Sequence, residues 1–376
     1  MTALHGMPCS IRAAAVLCSI AIIPIAEAQT GSSAWITRKQ PETPKSDVPR
    51  AKETKRTPVE TLRKGQMPAG RGTKSGQPGR LGPATAMPSG DDAAYIAFAM
   101  GQYLTALRLA AEAAKKGEAT AHTLVGRIHA DGLGVPQNPA LAAQWYARGA
   151  ELGDVEAAFS YGVLLAAGKG VKKDRAKAGA MFEAAAKKGH PYAHYNLALL
   201  FLSGDGKPEN PRRAALHLEY AASKGVTEAQ YDLATLYQKG HGVAPDAYKA
   251  AYWIRQAAEG GMAAAQYDYA LMLLRGQGLN ADQPKAVDYL KAAAGHGLPG
   301  AQNRLAHIYF AGVTVNRDPV EATKWRLLAQ AGGGEDKGLD TKIAGLPVKV
   351  RQEAERAADA YREQMAVGTP PPGAGR

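Results

Sequence analysis

The chain has 376 residues, of which 45% are apolar and 7% aromatic, and its 46 Lys and Arg against 34 Asp and Glu give a formal net charge of +12. The apolar fraction argues against a wholly disordered protein, and the length suits two or three ordinary domains. Two cysteines, Cys9 and Cys18, are too few for a zinc ribbon, an iron–sulfur cluster or a scaffold of several disulfides.

Residues 1–28 have the parts of a secretory signal peptide. Arg12 supplies the positive charge, residues 13–25 form a short apolar segment, and Ala26 and Ala28 place small residues at the −3 and −1 positions of a cleavage site. An uncleaved membrane anchor is the weaker alternative, because the apolar segment is shorter than the roughly 20 residues that span a bilayer. We therefore expect an exported protein, periplasmic or secreted, whose mature form lacks cysteine.

Residues 29–90 are rich in Pro, Gly, Ser and basic residues, with 12 Lys and Arg against 4 Asp and Glu. Such a composition buries too little apolar surface to offset the entropy of ordering, so it predicts a disordered linker. Two roles are open for this linker, a solubilising spacer or a flexible polycation that contacts a membrane surface or the cell wall. We do not expect a nucleic-acid partner, because an exported protein is separated from nucleic acid and the linker lacks interleaved aromatic residues.

A 36-residue repeat fills residues 118–333 as six units without an insertion. Each unit opens with an alanine and apolar residues at helical spacing, continues through a Gly-x-Gly pair, and then places Asn or Asp where a second helix begins. The landmark glycines of this period are Gly117, Gly153, Gly189, Gly225, Gly261, Gly297 and Gly333. The pattern predicts two helices per unit, called helix A and helix B below. Only the sixth unit departs from it, with Thr314 at the second glycine position.

Helix B is predicted to combine small and large residues on its inner side. Its alanines allow close approach of the helices, and the large residues fill the gap between units. The large residues lie three positions after an alanine and are Trp145, Met181, His217, Trp253, Tyr289 and Trp325.

The units resemble a known family of repeats. In the fourth unit, the segments 228–234 and 237–243, followed by Asp246 and Trp253, are similar to Sel1-like repeats, which are relatives of tetratricopeptide repeats. The resemblance covers residues 121–333. It implies an all-α fold, a right-handed superhelical solenoid of antiparallel helix pairs whose A helices line a concave groove. It also implies a protein or peptide partner in that groove, such as an inner-membrane sensor kinase or another envelope protein.

Both ends of the array are predicted to be capped, because a solenoid end otherwise exposes its core. Residues 91–117 fit an N-terminal capping hairpin, since they keep the phase of helix B but lack the Gly-x-Gly pair. Residues 334–367 are predicted to hold a short helix over 339–345 and a longer amphipathic helix over 348–365. The prolines in 368–376 indicate a disordered tail.

Candidate binding residues come from two adjacent columns of helix A, in which a tyrosine stands beside an asparagine or aspartate. They are Tyr195, Asn196, Tyr231, Asp232, Tyr267 and Asp268. An aromatic ladder with adjacent acids is typical of a surface that binds a basic, extended segment. The alternative is that these side chains pack between units, because an aromatic followed by a polar residue is also common in the pattern of the family.

The motifs of known catalytic and metal sites are missing from the repeats. His190 and His194 have i, i+4 spacing, but no carboxylate lies between them and no third metal ligand can be named. The serines of the array lack the Gly-x-Ser-x-Gly and Ser-x-x-Lys settings of nucleophiles. The Gly-x-Gly pairs lack the Gly-Lys-Ser/Thr ending of a phosphate loop. We therefore expect neither enzymatic activity nor a cofactor.

Two functional hypotheses follow from these patterns. The first is a periplasmic scaffold or regulatory adaptor that binds a protein or peptide partner in the groove and modulates an envelope signalling or assembly system. The second is a binder or weak hydrolase of a cell-envelope polymer, tethered to peptidoglycan or anionic lipid through the linker. A third and less favoured hypothesis is a lumenal adaptor of a eukaryotic secretory pathway.

Overall fold

The structure, a computed structural model, describes residues 93–366, and the regular secondary structure in this range is α-helical throughout. Its sixteen helices are α1 (Ala93–Ala99), α2 (Tyr103–Lys115), α3 (Ala119–Asp131), α4 (Pro139–Glu151), α5 (Val155–Ala167), α6 (Arg175–Lys187), α7 (Pro191–Ser203), α8 (Pro211–Ser223), α9 (Thr227–Lys239), α10 (Ala247–Glu259), α11 (Ala263–Arg275), α12 (Gln283–Gly295), α13 (Pro299–Ala311), α14 (Pro319–Ala331), α15 (Lys337–Ala344) and α16 (Val348–Ala366). The all-α prediction is therefore confirmed. The predicted signal peptide (1–28), linker (29–90) and tail (368–376) lie outside the described residues.

From α1 to α15 each helix packs against the next one along the chain, and α3 to α14 are the alternating A and B helices of the six units. Every B helix begins as predicted, because an Asn or Asp side chain accepts a hydrogen bond from the backbone N–H three residues on. These bonds join Asn138 to Leu141 (3.0 Å), Asp174 to Lys177 (2.8 Å), Asn210 to Arg213 (2.9 Å), Asp246 to Lys249 (3.0 Å), Asp282 to Lys285 (3.0 Å) and Asp318 to Glu321 (2.9 Å). The predicted helix starts are thus confirmed in all six units.

The second glycine of the Gly-x-Gly pair brings successive units into close contact. Gly242 has a positive φ of 77°, and a Cβ at this position would overlap the carbonyl group of Pro211 at the start of the preceding B helix. The same approach to the preceding B helix occurs at Gly170, Gly206 and Gly278. In the sixth unit the hydroxyl of Thr314 instead donates a hydrogen bond to Gln283 Oε1 at 2.9 Å.

The most deeply buried large residue of helix B lies one position after the predicted one. It is Tyr146, Phe182, Leu218, Ile254 or Leu290 in the first five units, each at most 5% exposed. In the predicted column, Trp325 is buried, whereas Trp145, Met181, His217, Trp253 and Tyr289 are half-buried. The reason is geometric, because the residue four after an alanine lies nearly above it on the helix, whereas the residue three after it lies to one side. Trp253 accordingly contacts the core clusters on both of its sides.

Additional helices pack against both ends of the repeats. At the N-terminal end, α1 packs on α2, and α2 packs on α3. At the C-terminal end, α16 packs on α14, with Ala354 and Ala358 buried and the Tyr361 ring edge-on to Trp325 at 5.3 Å. The short α15 begins two residues earlier than predicted and is linked to α14 by hydrogen bonds between Arg326 and Asp340.

Candidate binding face on the A helices

One side of each A helix forms a surface that we call the A face. It consists of the side chains at positions 2, 5, 6, 9 and 13 of α3, α5, α7, α9, α11 and α13, which share one side because of the helical repeat. Position 13 is exposed in all six of these helices. Positions 5, 6 and 9 are buried at several places in the first three units and only half-buried in the last three. The A face is therefore more open in its C-terminal half.

Two of the predicted tyrosines form hydrogen bonds between units. The hydroxyl of Tyr195 in α7 donates to Asp232 Oδ2 in α9 at 3.0 Å. The hydroxyl of Tyr231 in α9 donates to Asp268 Oδ2 in α11 at 2.8 Å. Each tyrosine thus binds the aspartate of the next unit, and the two predicted columns form one ladder along the A face.

The ladder changes its chemistry at Tyr267, because the next unit has Arg304 in the position of the aspartate. Burial raises the pKa of Tyr267, while the nearby positive charge of Arg304 acts in the opposite direction. Arg304 therefore lies near the last tyrosine of the ladder and reverses the sign of charge within the column of Asp232 and Asp268.

The six predicted residues differ in how much surface they present. Tyr195 is 7% exposed and Asn196 is fully buried, and both amide atoms of Asn196 are without a hydrogen-bond partner among residues 93–366. The other four, Tyr231, Asp232, Tyr267 and Asp268, are half-buried. A binding role for any of the six residues stays a prediction. The four half-buried residues have solvent-exposed surface that a partner can contact.

The aspartates of the ladder are poorly solvated. Burial raises the pKa of Asp232 to about 6, although the hydrogen bond from Tyr195 acts against this shift. Burial also raises the pKa of Asp268, against the hydrogen bond from Tyr231. A cationic group placed beside these carboxylates would favour their charged forms. The central A face therefore places half-buried carboxylates beside aromatic side chains, with Lys239 and Arg275 exposed at position 13 of α9 and α11.

A second ladder was not anticipated from the sequence. The side-chain amides of Gln230, Gln266 and Gln302 donate to the carbonyls of Ala222, Ala258 and Ala294 in the preceding B helices, at 3.2, 3.3 and 3.1 Å. These bonds lie inside the array and join α9, α11 and α13 each to the unit before it. The recurrence of Gln at one position of the period is the signal that could have predicted them.

Two negative findings concern the part of the chain that the structure describes. No cluster of three or more His, Cys, Asp and Glu side chains that could hold a metal occurs there. Among the helices of residues 93–366, none combines the length and the apolar character needed to cross a membrane.

Comparisons with known proteins agree with this architecture. A family model described as Sel1 repeat matches residues 119–154, 155–190, 191–226, 227–262, 263–298 and 299–329, together more than half of the chain. The crystal structure of a Sel1 repeat protein from Oxalobacter formigenes is 26% identical with a TM-score of 0.56, and the match covers 66% of this chain and 99% of that one. The structure of c5321, a protective antigen present in uropathogenic Escherichia coli strains displaying an SLR fold, is 28% identical with a TM-score of 0.48, over 71% of this chain and 66% of that one. No curated protein matches the chain significantly.

Proposed function

The chain belongs to the Sel1 repeat family, whose members are usually non-catalytic and whose repeats typically mediate protein–protein interactions, and we propose that it binds a protein or peptide partner on the A face. The partner contributes a basic, extended segment that lies across the C-terminal half of this face. The chain acts as a scaffold or regulatory adaptor and carries out no reaction of its own.

The observation that supports this proposal is the tyrosine–aspartate ladder. Asp232 and Asp268 each accept one hydrogen bond from a tyrosine, and an ionised carboxylate has further lone pairs for a Lys or Arg side chain. A cation bound there offsets the unfavourable burial of these carboxylates. We further propose that the half-buried ring of Tyr231 contacts the same cation through its aromatic face. The ladder repeats from unit to unit, which fits an extended segment with repeated basic residues.

The setting of this interaction is part of the proposal. The signal-peptide pattern of residues 1–28 supports export, and we place the protein in the periplasm. The partner is then an envelope protein, such as the extracytoplasmic domain of an inner-membrane sensor kinase.

Site-specific photo-crosslinking in cells tests the proposal. A photoreactive residue at Lys239, an exposed position 13 of the A face, should capture a discrete protein. The same residue at Tyr248, which is 77% exposed at the start of a B helix, should not. Deleting residues 29–90 should leave the capture unchanged. Capture of cell-wall fragments alone, and only when residues 29–90 are present, would replace this proposal by the polymer-binding hypothesis.

Matched charge variants test the role of the ladder. The double variant Asp232→Asn and Asp268→Asn removes the negative charges while keeping acceptors for the tyrosines. It should abolish capture of the partner while circular dichroism shows unchanged helicity. Asp288→Asn removes an exposed carboxylate from a B helix and serves as the control. Equal capture of the partner by the original chain, the double variant and the Asp288→Asn control would assign the ladder to packing alone.

A further inference from the structure

A cavity of about 580 Å³ lies at the C-terminal end of the A face. We call it the basic pocket. Its lining includes Arg304, His307, Phe310, Arg317, Lys342 and Leu346. Arg304 occupies the column of Asp232 and Asp268, so the pocket continues the A face beyond the ladder.

The positive charges of the basic pocket lack acidic partners within residues 93–366. Arg304, Arg317 and Lys342 form no ion pair with any described residue. The Nε atom of Arg304 is buried and has no hydrogen-bond partner in the same range. His307 is different, because its Nε2 lies 2.7 Å from Asp336 Oδ2. Three positively charged side chains without an ion pair therefore line one site.

Three carboxylates in or near the C-terminal helices are bonded to groups other than the arginines and the lysine of the basic pocket. Asp340 is bonded to Arg326, and Asp336 accepts the backbone N–H of Leu339 as the N-cap of α15. Asp318, next to Arg317 in sequence, caps α14. None of these three carboxylates forms an ion pair with Arg304, Arg317 or Lys342, so these side chains can pair with an anion that enters the basic pocket.

The basic pocket exists because the C-terminal helices close one end of the A face. Arg304 and His307 lie in α13, whereas Lys342 lies in α15 and Leu346 follows that helix. Phe310 and Leu346 add apolar surface to the same lining. A carboxylate next to an apolar side chain, as in an acidic peptide with interspersed hydrophobic residues, matches this combination.

We propose that the basic pocket binds the carboxylate groups of an acidic segment in the partner. The partner then lies along the A face in one direction, with its basic residues over Asp232 and Asp268 and its acidic residues at Arg304 and Lys342. This inference rests on the proposed function, because it adds a second contact to the same partner. Residues 29–90 of this chain are an unsuitable occupant, since they carry 12 Lys and Arg against 4 Asp and Glu.

The spacing between the two contacts sets the design of a probe. Packed helices lie about 8–10 Å apart, and an extended peptide advances about 3.3 Å per residue. The ladder carboxylate of α11 and the arginine of α13 are therefore bridged by about three residues of extended peptide. A suitable probe is a synthetic peptide with Lys-Lys and Glu-Leu-Glu separated by two residues, so that the facing Lys and Glu are about three residue steps apart, made in both sequence orders.

Fluorescence anisotropy with the purified protein at low salt tests the proposal. One order of the peptide should bind, and replacing its glutamates by glutamines should weaken binding by about tenfold or more. In the variants Arg304→Gln and Lys342→Gln, the same replacement should change affinity by less than about twofold. Arg356→Gln removes an exposed positive charge from α16 and should keep the tenfold loss. Lys342 is exposed, so that variant stays informative if Arg304→Gln does not fold.

The outcomes separate this inference from the proposed function. Equal binding of the glutamate and glutamine peptides, still lost on Asp268→Asn, would overturn the acidic contact and leave the basic one standing. If neither the glutamate peptide nor the glutamine peptide binds in either sequence order, both the acidic and the basic contact are overturned. Lys342-dependent binding of phosphatidylglycerol vesicles, without peptide binding, would replace the acidic segment by a lipid surface.

Discussion

Arg326 and Asp340 form a two-point ion pair, with Nε 2.7 Å from Oδ1 and Nη2 2.9 Å from Oδ2. Arg326 is 2% exposed and stands in the column that Leu290 and its counterparts fill in the other units. Its Nη1 also donates to the carbonyl of Gly334 at 2.5 Å and to Asn303 Oδ1 at 3.2 Å. A core position of the repeat is thus used to attach α15, which carries Lys342 of the basic pocket.

Asp340→Ala should lower the free energy of unfolding by about 2–3 kcal/mol, because it leaves the buried Arg326 charge with neutral acceptors only. The loss is smaller than for a fully buried pair, since the Asp340 side chain is 42% exposed. Urea unfolding measures this change. Asp359→Ala, which removes an exposed pair with Arg362, is the matched control and should stay within about 0.5 kcal/mol.

The double variant Arg326→Leu and Asp340→Ala should recover most of this loss, because it restores the apolar residue type of the column. If Asp340→Ala behaved like the Asp359→Ala control, the ion pair would not be the link that attaches α15.

The stability of the array should fall as the pH drops from 6.5 towards 4. The Nδ1 atoms of His194 and His217 lie 3.0 Å apart, and His194 Nε2 lies 3.1 Å from the carbonyl of Ala186. This arrangement fits two neutral rings, with His217 donating to His194. Burial, followed by repulsion from His194, lowers the pKa of His217 to about 4. The unfolded chain therefore takes up protons first as the pH falls, which favours unfolding by about 2 kcal/mol near pH 4.

His217→Met, which introduces the residue found at Met181 in the same column, removes this proton uptake. Urea midpoints at pH 7.5, 5.5 and 4.5 should then vary less for the variant than for the original chain. Parallel pH profiles for the two proteins would show that another group sets the pH dependence.

Asp232 should act on stability with the opposite sign. Its pKa is raised to about 6 in the folded protein, above the ordinary value near 4, so the folded chain holds the proton more tightly. The resulting destabilisation is complete above pH 6 and disappears as the pH falls below 4. Asp232→Asn keeps an acceptor for Tyr195 and should stabilise the protein by about 1–2 kcal/mol at pH 7.5. The gain should vanish at pH 4, and an equal gain at both pH values would show that its origin is not ionisation.

Asn196→Leu should stabilise the array by about 1–2 kcal/mol, because it removes a buried amide whose polar atoms lack partners in the described structure. Leu124 occupies the equivalent position of the first unit, so leucine fits this column. Thermal unfolding measures the gain, with Ser160→Leu at the half-buried position of the second unit for comparison. A loss of stability for Asn196→Leu would mean that the amide does find partners in solution.

The sequence by itself determined the helices and their starts. Asn138 and the capping residues of the later units predict where each B helix begins, and the 36-residue period predicts where the units join. These features are local, because a cap bonds three residues on and a glycine with positive φ acts within its own turn. The tyrosines and the aspartates of the ladder likewise recur at two adjacent positions of the 36-residue period, so the sequence alone shows both columns.

Only the tertiary structure decided which side chains meet across units. Tyr195 bonds Asp232, which is 37 residues away, and not its sequence neighbour Asn196. Arg304 and Lys342 line one pocket although only the first belongs to the repeat. The rotation and shift between neighbouring units set these contacts, and a period along the chain contains neither quantity. The periodic sequence therefore predicts the repeating helices, while packing between them determines the ladder, the anchor at Arg326 and the basic pocket.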